Sequence, residues 1–119
     1  MVQSLSVSDT VTTWVDVCSL HAIAPYTGVC ALVKGEQVAI FRVGNGDEVY
    51  ALSNYDPFSK AFVLSRGLVG SRSGTLKVAS PIYKQNFSLV TGQCLDDETV
   101  KIPTFTVRVA GDRVQVAVS

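Results

Sequence analysis

Histidine is almost missing from this chain: its 119 residues include one, His21, alongside three cysteines, Cys18, Cys30 and Cys94. An odd number of cysteines at irregular spacing argues against a disulfide framework and fits reduced thiols. A Cys3His zinc site would have to grow from Cys18-x-x-His21, yet Cys30 and Cys94 stand without paired ligand spacing. Isolated cysteines are most often small buried hydrophobes. A cysteine nucleophile is no better served, because no second histidine is present to act as its base.

Charge of one sign is also missing. Ten basic residues balance ten acidic ones, which leaves no basic footprint for nucleic acid. The balance hides an asymmetry. Residues 51–90 hold five basic residues and one acidic, against two and five in residues 1–50 and three and four in residues 91–119. The positive middle segment could favour docking to an acidic protein surface, but scattered surface lysines with no partner account for the charge at least as well. No apolar run approaches membrane-spanning length, and no membrane partner is expected. The opening MVQSLSVSDT has neither a basic residue nor a long apolar stretch, so it is not expected to be a secretory or organelle leader. Together with the reduced thiols, this makes the cytoplasm the expected compartment.

Helical periodicity is the third absence. Nowhere do apolar residues recur at helical spacing for three turns, and in HAIAPYTG the proline limits any helix to one short turn. What the chain has instead is alternation. In TVRVAGDRVQVAVS, Val107 and Val109 alternate with Arg108, and Val114, Val116 and Val118 alternate with Gln115 and Ala117, with Ala-Gly-Asp as the turn of a hairpin. VAIFRVGNGDEVYAL reads as a second hairpin, with Asn45-Gly46 expected to take positive φ. Gly35 marks a tight turn between CALV and VAIFRV, which completes a three-stranded meander. VTTWVDVC, TLKVAS and NFSLVTG read as further short strands. The chain is expected to be all-β, with small stacked antiparallel sheets in a single domain over residues 1–119; an apolar fraction of 47% with 17% charged residues is enough for such a core.

The longest stretch without strand character is 54–73, NYDPFSKAFVLSRGLVGSRS, in which FVLSRG could form a small element of its own. A loop of that length in a compact domain is usually functional. A second loop, Ser80-Pro-Ile-Tyr-Lys-Gln, precedes NFSLVTG. Asp56, Lys60, Tyr83 and Lys84 could form a small anion pocket extended by Arg66 and Arg72, but no glycine-rich phosphate loop accompanies them, and solvated surface lysines are the simpler reading. Phe58 and Phe62, aromatic residues on a loop beside positive charge, are what partner-binding surfaces use; the simpler alternative is that both rings anchor the loop to the core. The acidic run Asp96-Asp97-Glu98-Thr99 reads as a solvated turn.

The order of these parts resembles the Rieske ferredoxin domain, whose first loop carries Cys-x-His and whose second carries Cys-x-x-His, followed by an aromatic residue, a short strand and Thr-Gly. Here the corresponding positions read Asn54-x-Asp56 and Ser80-x-x-Tyr83, in loops at about 54–62 and 80–86 that form an insert subdomain. None of the four residues is a ligand for such a cluster, which takes two thiolates and two imidazoles. DPFSKAFVLSRGLVG and KVASPIYKQNFSLVTGQCLDD are similar to the small subunits of cytoplasmic NAD(P)H-dependent nitrite reductase, a family of short Rieske-like proteins in which the ligands are missing. The resemblance runs from WVDVCSL to the terminal hairpin.

It implies a non-catalytic accessory subunit, without catalytic residues, metal or cofactor of its own, serving nitrate assimilation by reduction of nitrite to ammonium. It also implies a large-subunit partner that holds flavin (FAD), siroheme and an iron–sulfur cluster. Phe58, Lys60, Phe62 and Lys84 are the candidate contacts. The former ligand positions are expected to replace metal bonds by hydrogen bonds and packing, with the Tyr83 ring in the space of the cluster. The alternative is an independent Rieske-type electron carrier or small redox enzyme, which a single histidine argues against.

Overall fold

A computed structural model describes residues 13–118. In chain order the strands are β1 (Thr13–Ser19), β2 (Thr27–Val33), β3 (Glu36–Arg42), β4 (Val49–Ser53), β5 (Tyr55–Asp56), β6 (Ala61–Phe62), β7 (Leu68–Arg72), β8 (Thr75–Ala79), β9 (Asn86–Ser88), β10 (Thr104–Phe105), β11 (Val107–Ala110) and β12 (Arg113–Val118). They pair antiparallel into four small sheets, ordered β1-β12-β11, β10-β4-β3-β2, β5-β6 and β7-β8-β9. The only helical pieces among the described residues are single 3-10 turns at Leu20–Ala22 and Leu64–Arg66; the first overlaps the start of HAIAPYTG and the second lies within FVLSRG. The all-β expectation holds.

Strand β3 explains the layering. Its residues Val38 to Arg42 are all buried, because its two faces serve different cores. Val38 and Ile40 point into one with Leu20, Ile23, Val33, Ala51, Val114 and Val116. Ala39 and Phe41 point into the other with Leu52, Leu64, Val78, Phe87, Leu89, Cys94 and Ile102. Alternate side chains of a strand leave opposite faces, so a strand apolar at every position lies between two layers. The sheet containing β3 is therefore a shared wall: the terminal hairpin and β1 cover one side, and β7, β8 and β9 cover the other.

The meander forms as the sequence predicts, with Val33 opposite Glu36 across Lys34 and Gly35, both at positive φ (51° and 84°), the two-residue turn that suits strand twist. The second turn departs from expectation. Positive φ falls at Gly44 (80°) rather than at Asn45-Gly46, and the connection runs from Arg42 to Val49. The cause is a charged side chain at the end of a strand. The buried Arg42 guanidinium donates to the carbonyls of Gly46 (2.9 Å), Asn45 (2.6 Å) and Ile23 (3.0 Å), which holds a wider loop open around it. Strand β7 is a further departure, since it lies inside the stretch read as loop. Its partner is β8, across a turn at Ser73 and Gly74, both at positive φ.

Candidate functional site

The two loops lie at one end of the β7-β8-β9 layer, and polar side chains hold them. Asn54, 2% exposed, uses both ends of its amide. Its Oδ1 accepts from the Ser65 N–H at 2.7 Å, and its Nδ2 donates to Gln37 Oε1 at 3.0 Å and to Cys30 Sγ at 3.5 Å. Its backbone is engaged as well, donating to the Gln37 carbonyl and accepting from Leu64 N–H. One residue thereby fastens the first loop to the β2–β3 hairpin and to the 3-10 turn behind it.

Asp56 is fully buried. Its Oδ1 accepts from the N–H groups of Phe58 (2.9 Å) and Ser59 (3.4 Å), and its Oδ2 accepts from the hydroxyls of Ser59 (2.9 Å) and Ser80 (2.5 Å). Burial alone would push this carboxyl up, but the Ser80 hydroxyl, the Phe58 N–H and the two Ser59 donors outweigh it and hold the group below the ordinary carboxylate range. Ser80, also fully buried, closes its own loop through its N–H to the Gln85 carbonyl (2.9 Å). The Asp56–Ser80 bond joins the first loop to the second.

Asn54, Asp56 and Ser80 are thus hydrogen-bonded within and between the loops, whereas Tyr83 does not fill the space between them. The residue is 61% exposed: the two loops meet instead at the short Asp56–Ser80 contact, which leaves Tyr83 outside. Phe58 and Phe62 also part company. Phe58 is half-buried against the core, its ring 6.1 Å from that of Phe87, so it anchors the loop. Phe62 is 54% exposed, tilted against Tyr55 at 5.1 Å. It borders a groove of about 460 Å³ that Leu32, Pro103 and Phe105 also line. Lys60 and Lys84 are both exposed. The extended anion pocket does not form, since Arg72 is committed to Asp96 and Asp56 is sealed inside.

A second polar anchor was hidden in the acidic run. Asp96 accepts from both terminal nitrogens of Arg72 (3.0 Å) and from the backbone and side-chain nitrogens of Asn86 (2.7 and 3.0 Å). The Asn86 N–H is the chief reason its carboxyl lies low, with Arg72 contributing. The bond ties the ends of β7 and β9 together, so the solvated-turn reading of the run is corrected at this residue. At Gly67 the first loop passes so close to β8 that a Cβ would lie 2.3 Å from the Ala79 carbonyl oxygen, and only glycine fits there.

The thiols do not converge on anything. Cys94 is buried in the core, Cys18 is partly buried and Cys30 is exposed. Burial pushes the Cys18 and Cys30 thiols up, away from the reactive thiolate. Among the described residues, no group of three or more His, Cys, Asp or Glu side chains is gathered where it could hold a metal ion. No described helix is long and apolar enough to cross a membrane.

Comparison with known proteins bears on this arrangement. Residues 13–117 match the model of the Rieske-like [2Fe-2S] domain. The "Nitrite reductase (NADH) small subunit" of Salmonella typhimurium is 50% identical over 103 residues, covering 87% of this chain and 95% of that protein. The NMR structure of the E. coli protein NirD superposes with a TM-score of 0.85 at 46% identity, over 92% of this chain and 99% of that one. The "Nitrite reductase [NAD(P)H] large subunit" of Klebsiella oxytoca is 41% identical over 103 residues, again 87% of this chain but 11% of that much longer protein.

Proposed function

Because the chain belongs to the Rieske-like [2Fe-2S] domain family and, within it, to the nitrite reductase small subunits, we propose that it docks on the large subunit of a cytoplasmic NAD(P)H nitrite reductase and supports nitrite reduction to ammonium in nitrate assimilation. The large subunit carries the FAD, siroheme and iron–sulfur cluster in this reading, and the present chain carries no electrons. The Klebsiella relative is the observation that supports it most: there a stretch 41% identical to this chain lies within a protein named as the large subunit. A domain found both alone and inside a larger chain is well suited to pack against that chain.

The loops supply the docking surface in this reading. An amide, a carboxylate, a hydroxyl and a phenol stand at positions 54, 56, 80 and 83, and this donor set does not fit a Rieske cluster, which needs thiolates on one iron and imidazoles on the other. The donors it does have are spent on the loops themselves: the Asn54 amide and the Asp56 carboxylate are fully engaged with protein partners. What the loops leave outside is an apolar ring, Phe62, with Lys60 and Lys84, a composition suited to an interface. Phe58 supports them from beneath.

Co-expression with the large subunit followed by size-exclusion chromatography tests the proposal. A 1:1 association that Phe62→Ala weakens, with NADH- or NADPH-dependent nitrite reduction falling in parallel, is the expected result. A large subunit that turns over fully without this chain and never co-elutes with it would sink the reading.

A further inference from the structure

The two loops are built on one plan. Asp56-Pro57-Phe58-Ser59-Lys60 and Ser80-Pro81-Ile82-Tyr83-Lys84 share an oxygen-bearing side chain, a proline, an apolar residue and, at the fifth position, a lysine. In each, the first side chain accepts a hydrogen bond from the N–H two residues on: Phe58 to Asp56 Oδ1 at 2.9 Å, Ile82 to Ser80 Oγ at 3.5 Å. In each, the lysine takes a left-handed φ, 59° at Lys60 and 69° at Lys84. The two turns are joined at their equivalent first residues by the buried Asp56–Ser80 bond.

Left-handed backbone disfavours every side chain but is free for glycine. Lys34 and Ser73 take it in ordinary hairpin turns, so what sets Lys60 and Lys84 apart is the return of lysine at the same place in two joined turns. Both lysines are exposed, and the sole acid of residues 51–90, Asp56, is buried with its donors. The charge that the two turns show to solvent is thus wholly positive. Ile82, 45% exposed, and Tyr83, 61% exposed, immediately precede Lys84, and Phe62, 54% exposed, lies two residues after Lys60. We infer that Lys60 and Lys84 form a matched pair of cations, set by the Asp56–Ser80 bond, for carboxylate groups on an acidic patch of the large subunit. This rests on the docking reading and gives it a chemistry: association is steered by charge and sealed by apolar contact.

The experiment is a titration of the large subunit with this chain at about 0.05 and about 0.5 M salt, where screening separates charge from packing. Lys60→Glu and Lys84→Glu are each expected to weaken binding about tenfold at low salt and the double variant about a hundredfold, the differences shrinking at high salt. Lys101→Glu, outside both turns, is the control and leaves binding unchanged. Lys60→Gly and Lys84→Gly relieve the backbone, so they are expected to melt no lower than the native chain and still bind more weakly, which separates lost charge from lost fold. If Phe62→Ala weakens the complex while neither reversal does, the docking face stands and the paired-cation inference falls. If none of these variants affects the complex, the interface lies elsewhere on the chain, and the loop docking face falls together with the inference. Saturable shifts of the Lys60 and Lys84 amides on adding inorganic phosphate or nitrite to the free chain, with partner binding indifferent to both reversals, would make the pair a small-anion site and overturn the inference.

Discussion

The two sides of the β3 wall are held together by different forces. On the side of the terminal hairpin, Val38, Ile40, Val114 and Val116 are fully buried, and the layer is joined by apolar contact and strand pairing, interrupted by a register shift of β1 between Asp16 and Cys18. On the loop side an apolar core is present too, but the loops above it hang on Asn54, Asp56, Ser80 and Asp96, polar groups that reach 10 to 24 residues along the chain to their partners. Non-directional burial builds a base that tolerates small shifts, whereas directional bonds fix the loops in one arrangement. Under the proposed docking, it is the second kind of hold that would lower the ordering cost of binding.

The sharpest way to break this comparison is to strike the wall itself on each side in turn. Phe41→Ala is expected to cost about 3–5 kcal/mol and Ile40→Ala about 2–5 kcal/mol, each read as a lowered urea midpoint. If the layers fold as one unit, both variants melt in a single transition; two separate transitions would show the layers to be independent. Next in size is Asp56→Ala, expected to cost about 2–3 kcal/mol because it strands buried donors. Hydrogen exchange checks where that loss falls: the Phe58 and Ser59 amides should open more than the Val38 and Val114 amides, and equal acceleration everywhere would count against a local role.

Acid sharpens the same point. The folded Asp56 carboxyl titrates below its unfolded value of about 3.9, so its contribution is complete above that pH and is lost as pH falls through the folded value. Asp96 and Asp97 have the same sign. The urea midpoint should therefore hold down to about pH 4 and drop as the pH falls further, and Asp56→Asn should flatten part of that drop while the other two carboxylates keep the rest. The smallest effect expected is Arg72→Ala, at most about 1 kcal/mol and weaker in salt, because its pair with Asp96 is solvent-exposed.

The base was legible in the sequence because burial writes itself as alternation: Val114, Val116 and Val118 against Gln115 and Ala117 specify one strand, whereas the unbroken Val-Ala-Ile-Phe marks a strand whose place between two layers only the structure supplies. The positions of the two loops were legible as well, from Asn54-x-Asp56 and Ser80-x-x-Tyr83. What holds them was legible only in part. Asn54 finds Gln37 and Cys30 on another hairpin, and nothing near Asn54 in the chain announces either. Arg42 overrode the Asn45-Gly46 turn signal by supplying three hydrogen bonds. Strand β7 was masked by Gly70 and its polar end, although Ser73-Gly74 is the kind of pair that marks a hairpin turn. Tyr83 was misplaced because a serine and a carboxylate already meet where its ring was expected to go.

The link between Asp56 and Ser80 has a consequence for how the protein comes into being. A bond from a hydroxyl to a carboxylate waits for no assembly machinery, is not stripped by a chelator and is indifferent to dioxygen. The link between the two loops is therefore complete as soon as the chain has folded.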